Sequence, residues 1–126
     1  MALYEPPFYF KGPGVDSLMA RYKAKLQAGD ADGAIVGGLL GHLYWGWLSV
    51  ETLWVDERYR GQGLGGRLLD MAEAEARQHG CAHVQLDTLT FQARPFYEAR
   101  GYRVYGELAD FPAGTEYRRF YLTKQL

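Results

Sequence analysis

Arg60-Gly61-Gln62-Gly63-Leu64-Gly65-Gly66 is the stretch on which the reading of this chain turns. An apolar run, Leu48-Ser49-Val50-Glu51-Thr52-Leu53-Trp54-Val55, precedes it. Leu68, Met71, Ala72 and Ala76 follow at helical spacing. Strand, glycine-rich turn and helix start together form a common anion cradle. The first N–H groups of a helix have no partner inside it, and the helix dipole favours negative charge there. Glycines allow the backbone close to a phosphate without a Cβ in the way. The alternative is a glycine-rich helix entry with no ligand.

Working outward, His79 ends this helix and Gly80 follows as the C′ residue. Ala82 to Thr88 is a strand of the buried type, so strand, helix, strand implies a parallel pair with a right-handed crossover. Gln92 to Arg100 reads as a short helix with Pro95 in its first turn, stopped by Gly101. Tyr102 to Leu108 is a strand, Asp110 to Gly114 a loop, and Glu116 to Thr123 a last strand pairing back on its predecessor.

Upstream, Ala34 to Leu40, His42 to Trp47 and Leu48 to Val55 read as three strands of an antiparallel meander, with Gly41 and Gly46 near the turns. Asp30-Ala31-Asp32-Gly33 is a turn. Val15, Leu18, Met19, Tyr22 and Leu26 recur at helical spacing, which predicts a helix capped by Asp16 or Ser17 and ending near Ala28-Gly29. Leu3-Tyr4 and Phe8-Tyr9-Phe10 suggest a short edge strand limited by Pro6 and Pro7, and Gly12-Pro13-Gly14 a turn.

The chain has 126 residues and 48% hydrophobic content, enough for one domain with a real core. Fourteen basic residues against 15 acidic ones argue against a nucleic-acid binder held by bulk charge. Cys81 is the single cysteine, so no internal disulfide forms, which suits a reducing, cytoplasmic setting. No basic n-region with an apolar h-region opens the chain, and no apolar run of about 18 residues predicts a membrane span.

Gly61-x-Gly63-x-x-Gly66 also satisfies the dinucleotide pattern, with Asp87 at the end of the next strand. That fingerprint needs its first glycine directly after the strand, whereas Asp56 to Arg60 intervene here, after a meander. A nucleoside-triphosphate loop fails for want of Lys-Ser or Lys-Thr after the glycines.

What remains is Arg60-x-x-Gly63-x-Gly65, preceded by Leu-Trp-Val and Asp-Glu-x-Tyr. It resembles motif A of the GNAT superfamily of N-acetyltransferases. Leu86-Asp87-Thr88 resembles the strand after that motif, and Ala93-x-x-Phe96-Tyr97-Glu98-x-x-Gly101-Tyr102 resembles a downstream motif of the same superfamily. The resemblance covers about Ala34 to Leu126. It implies one domain over residues 1–126, with an acetyl-CoA-binding core at 34–126 and a poorly matched segment at 1–33. The implied fold is α+β: a mixed, mostly antiparallel twisted sheet with a central parallel strand pair, flanking helices and a shortened N-terminal helical region.

By the same resemblance, backbone N–H groups of Arg60, Gly61, Gln62, Gly63, Leu64 and Gly65, with Gly66 close by, hold the pyrophosphate of coenzyme A, and the Arg60 side chain positions the turn or the phosphates. Pantetheine pairs with Leu53, Trp54 and Val55, in the gap where their strand splays from the next. A backbone N–H near Leu53 polarises the thioester carbonyl. Tyr97 matches the acid that protonates the departing thiolate; alternatively it packs its helix and bonds coenzyme. Thr90 stands where the family often has Asn. For the base, Glu51 is the leading candidate, on one face with Leu53 and Val55 unless a bulge intervenes, with Asp87 and His42 behind it. Arg67 and Arg94 are candidates for the 3′-phosphate. The implied reaction is direct transfer from acetyl-CoA to a primary amine of a small molecule or peptide, with no metal, nucleic acid or membrane involved. A coenzyme-binding module without turnover is the alternative class, and a dinucleotide oxidoreductase a poor third. The Trp45–Trp47 segment and the final strands are candidates for pairing two subunits into a homodimer.

Overall fold

A computed structural model describes residues 22–89 and 93–126. The expected edge strand, Gly12–Gly14 turn, the start of the first helix and Thr90 lie outside the described residues. Among the described residues, six strands form one sheet: β1 (Tyr22–Gly29), β2 (Ile35–Tyr44), β3 (Trp47–Val55), β4 (His83–Thr88), β5 (Arg103–Leu108) and β6 (Arg119–Gln125). The same residues hold two helices, α1 (Leu64–Gln78) and α2 (Ala93–Ala99), and a short 3-10 turn at Glu57–Tyr59. The strand order is β1-β2-β3-β4-β6-β5. Only β3 and β4 run parallel; every other neighbouring pair is antiparallel. This is the expected mixed α+β sheet with a central parallel pair. The last strand does more than pair with its predecessor: β6 inserts between β4 and β5 and bonds to both.

Two upstream expectations are corrected. Tyr22 to Gly29 is a strand, not the end of a helix, and pairs with β2 from Tyr22↔Leu43 to Gly29↔Ile35. Leu26 and Ala28 are fully buried on the core face, with Gln27 between them. A partner strand that satisfies the backbone and buries that face outweighs the helical spacing. Likewise, 34–40 and 42–47 are not two strands. β2 runs unbroken through Gly41 and turns at Trp45-Gly46, both with positive φ. The glycines of β2 serve close approach. A Cβ at Gly41 would stand 2.5 Å from the Ser49 carbonyl oxygen, and one at Gly38 2.9 Å from Trp54 Nε1.

β3 carries a bulge. Leu40 opposes Thr52 and Gly41 opposes Val50, which leaves Glu51 unopposed. The extra residue switches parity: Leu48 and Val50 enter the core before it, and Leu53 and Val55 pack against the core after it. β3 and β4 pair only at Trp47↔His83, Leu48↔Val84 and Ser49↔Gln85. Beyond Ser49 the two strands part, so the sheet opens into a fork.

α1 lays Leu64, Leu68, Leu69, Ala72 and Ala76 on the sheet, against Leu26, Leu39, Leu43 and Leu48. These apolar positions recur every three or four residues, and their burial holds the helix in place. Gly80, with φ +80°, ends α1 as expected. No helix among the described residues is long and apolar enough to cross a membrane, and they contain no cluster of metal-ligating side chains.

Candidate active site

Each turn between β3 and α1 has a local cause. Asp56 accepts a bond from the Arg58 N–H at 2.9 Å and so caps the 3-10 turn. Arg60 Nε donates to the Val55 carbonyl at 3.1 Å, folding the loop back on the end of β3. Gly61 and Gly63 have φ near +80°, a region that side chains with a Cβ rarely enter. Gly63 is the N-cap of α1 and has no side chain to accept from the first N–H groups, and no acidic residue stands in the first turn. The helix start is therefore an open donor site for an anion.

A cavity of about 560 Å³ lies in front of it. Leu53, Trp54 and Val55 form one wall, Arg60, Gly61, Gly63, Leu64, Gly65 and Gly66 the floor, and Ala93, Phe96 and Tyr97 of α2 the far side. These are nearly all the residues expected to meet coenzyme. Gln62 does not line the cavity, and Thr90 is outside the described residues. Tyr59 lines it as well, its hydroxyl 3.4 Å from Asp30 Oδ2.

Tyr97 is 8% exposed and stacks edge-on with Phe96 and Tyr102, at 5.0 and 5.7 Å between ring centroids. Burial, and then the negative charge of Asp87, push its phenol above the ordinary tyrosine range. The side chain is thus a neutral phenol at every ordinary pH.

Glu51 does not share a face with Leu53 and Val55. The bulge turns it to His42, whose Nδ1 its carboxylate contacts. Two of the three base candidates therefore form one unit, beside the last paired residue of the fork, since His42 opposes Ser49. The third, Asp87, is held by Arg119 Nε at 2.9 Å. Arg94 donates to Glu98 at 2.8 Å and lies over the Phe120 ring at 5.0 Å, an arrangement that braces α2.

Two neighbours of the site escaped sequence reasoning. Glu73 of α1, 2% exposed, accepts from the Tyr102 hydroxyl and from Lys124 Nζ, both at 2.7 Å. It ties α1 to β6 and to the residue beside β5. Arg100, just past α2, donates to the Gly66 carbonyl at 3.0 Å and to Asp70 at 2.5 Å. The i, i+3 spacing of Asp70 and Glu73 on one helix was visible, but not which later residues would reach them.

A model of the acetyltransferase (GNAT) family matches residues 5–102. A blasticidin-S acetyltransferase of Streptomyces morookaense is 49% identical over 83 residues, 65% of this chain and 61% of that protein. An acetyltransferase of Agrobacterium fabrum is 43% identical over 83 residues, 66% of this chain and 61% of that one. The chain thus spans about three-fifths of the length of the curated relatives it matches. The crystal structure of an acetyltransferase from Bacillus cereus superposes with a TM-score of 0.79 at 37% identity, covering 84% of this chain and 74% of that one. An open helix start, a forked parallel pair and a family match over most of its length together make this chain a member of the GNAT acetyltransferase family.

Proposed function

We propose that the chain is an acetyl-CoA-dependent N-acetyltransferase acting on a primary amine of a small molecule. The observation that carries this is the sharing of one cavity by an uncapped helix start and a buried, neutral phenol. The residues present fit coenzyme A. The helix start offers N–H donors to a pyrophosphate, the end of β3 offers backbone to pantetheine, and Arg60 braces the turn between them. Acetyl-CoA supplies an activated acetyl thioester at the fork.

The attacking nitrogen must be neutral, yet a free alkyl ammonium has a pKa of about 10.4. Glu51 and His42 receive the proton that the nitrogen gives up. The nitrogen bonds to the acetyl carbon, the carbon–sulfur bond breaks, and the sulfur takes a proton from Tyr97 Oη. A backbone N–H near Leu53 meets the charge that develops on the acetyl oxygen. Tyr97 is suited to its part because burial disfavours its anion and keeps the proton available.

The relative named for blasticidin S supports a small-molecule acceptor and makes blasticidin S the first compound to assay. Amine-dependent release of the coenzyme thiol, corrected for hydrolysis, tests the proposal on a panel that includes simple amines and a peptide. Tyr97→Phe is expected to lower kcat about 100-fold, with coenzyme A affinity within about threefold of the wild type. Coenzyme binding with no amine-stimulated release would mark a binding module instead. An unchanged kcat in Tyr97→Phe would remove the tyrosine from the chemistry.

A further inference from the structure

Tyr97 rides on α2, which has seven residues. So short a helix does not hold a shape or a position by itself. Two side chains fasten it to the first turn of α1. Phe96 lies over Gly65, where an added Cβ would stand 3.8 Å from Phe96 Cζ. Arg100 lies over Gly66, where an added Cβ would stand 2.5 Å from Nη1 and 2.7 Å from Cζ. The guanidinium fills the space that this glycine leaves.

From that slot one nitrogen of Arg100 bonds to the Gly66 carbonyl and to Asp70 one turn on, while Cζ sits 5.6 Å from the Phe96 ring centroid. Its Nε is buried with no partner. At the other end, the Arg100 N–H donates to the Tyr97 carbonyl at 3.0 Å. An ion pair with an exposed carboxylate contributes little alone, and Asp70 is 60% exposed. What sets this contact apart is its target: a single guanidinium nitrogen engages the main chain of the turn that lines the cavity, while the flat group fills the space over Gly66.

We infer that Arg100 is a positioning residue, which fixes Tyr97 relative to the turn that anchors the coenzyme. Gly66 is then glycine to admit Arg100, rather than to admit a phosphate. This rests on the activity proposed above. If Arg100 acts through Tyr97, removing it matters only while Tyr97 has a proton to deliver. A purely structural role would lower the rate with or without the phenol.

The test is a set of double-mutant cycles in kcat, with the affinity for coenzyme A measured separately. Arg100→Met is expected to lower kcat about 10- to 30-fold, because misplacement by a fraction of an ångström is costly, and to leave coenzyme affinity within about threefold. In the Tyr97→Phe background the same change is expected to alter kcat by less than about twofold. Gly66→Ala should reproduce the loss in the wild type and be silent in Arg100→Met. Arg100→Lys should restore only part of the rate, since an ammonium keeps the charge but does not fill the flat space over Gly66. Equal losses in both backgrounds would overturn the inference. So would a loss of coenzyme affinity at constant kcat, or a Gly66→Ala effect that persists without Arg100. Should Arg100→Met not fold, Asp70→Asn at its exposed site decides by the same comparison, with an expected loss of about threefold confined to the Tyr97 background. Failure of the proposed activity is separately visible, as absence of amine-stimulated thiol release in the wild type.

Discussion

The first turn of α1 and the middle of the same helix treat polar groups in opposite ways. In the middle, the buried Glu73 carboxylate has the Tyr102 hydroxyl, Lys124 Nζ and, at 3.9 Å, Arg77 around it. At the start, Gly63 offers no side chain to the first N–H groups, and no acidic residue helps them. The chain is able to cap a turn, for Asp56 does so seven residues earlier. Buried polar groups are normally paired, so donors left open beside a cavity mark a candidate position for a ligand's charge. The difference separates a part of the helix that holds the fold together from the part proposed to bind coenzyme.

The largest effect expected from that contrast is at Glu73. Glu73→Ala leaves Lys124 and the Tyr102 hydroxyl without their acceptor. It should cost about 3 kcal/mol in urea unfolding, with coenzyme affinity of the folded protein unchanged. At the start of the helix the signs reverse. Gly65→Asp has room, since an added Cβ would be 3.6 Å from Val55 Cγ2. An acid there complements the helix dipole and replaces a glycine, so stability should hold or rise by about 0.5 kcal/mol. Coenzyme A affinity by calorimetry should nevertheless fall about 30-fold, roughly 2 kcal/mol, because the carboxylate takes the donors and repels the phosphates. Parallel losses of stability and affinity would break the comparison.

The smallest effect is a pH dependence at Tyr102. Burial first, then its bond to Glu73, raise this phenol above the ordinary range. A raised pKa means the fold favours the protonated form. The contribution is whole below the unfolded value of about 10 and is lost as pH rises through the folded one. Tyr102→Phe should therefore cost about 1.5 kcal/mol at pH 8, and the deficit should shrink above about pH 10. A deficit constant with pH would mean that the ring, not the hydroxyl, carries the contribution.

Legibility differed between the two halves of the chain. From Arg60 onward, apolar spacing, Gly80, Pro95 and Gly101 placed α1, β4, α2 and β5 to within a residue or two of where they lie. Upstream, Tyr22-Lys23-Ala24-Lys25-Leu26-Gln27-Ala28 alternates strictly and carried a strand signal, yet the helical spacing from Val15 to Leu26 obscured it. Gly41 suggested a break because a glycine in a strand has two meanings, a turn or a close approach. Only the Ser49 carbonyl against it shows which. The cavity wall was readable because glycines and the Ala93–Tyr102 spacing are local signals. The partnership of His42 with Glu51 was not, since one unopposed residue in β3 decides which way Glu51 turns.

By itself, the sequence determined an α+β chain with a candidate anion-binding turn at Arg60 to Gly66, an acid candidate at Tyr97 and a resemblance to one family of folds. These follow from spacing along the chain, where backbone geometry ties residue number to direction. Only the tertiary structure decided that β6 lies between β4 and β5, that Glu51 faces His42, and that Arg100 occupies the space beside Gly66. Each depends on residues that meet across strands or between helices, and such contacts are selected by packing and pairing of the whole sheet rather than by any local pattern.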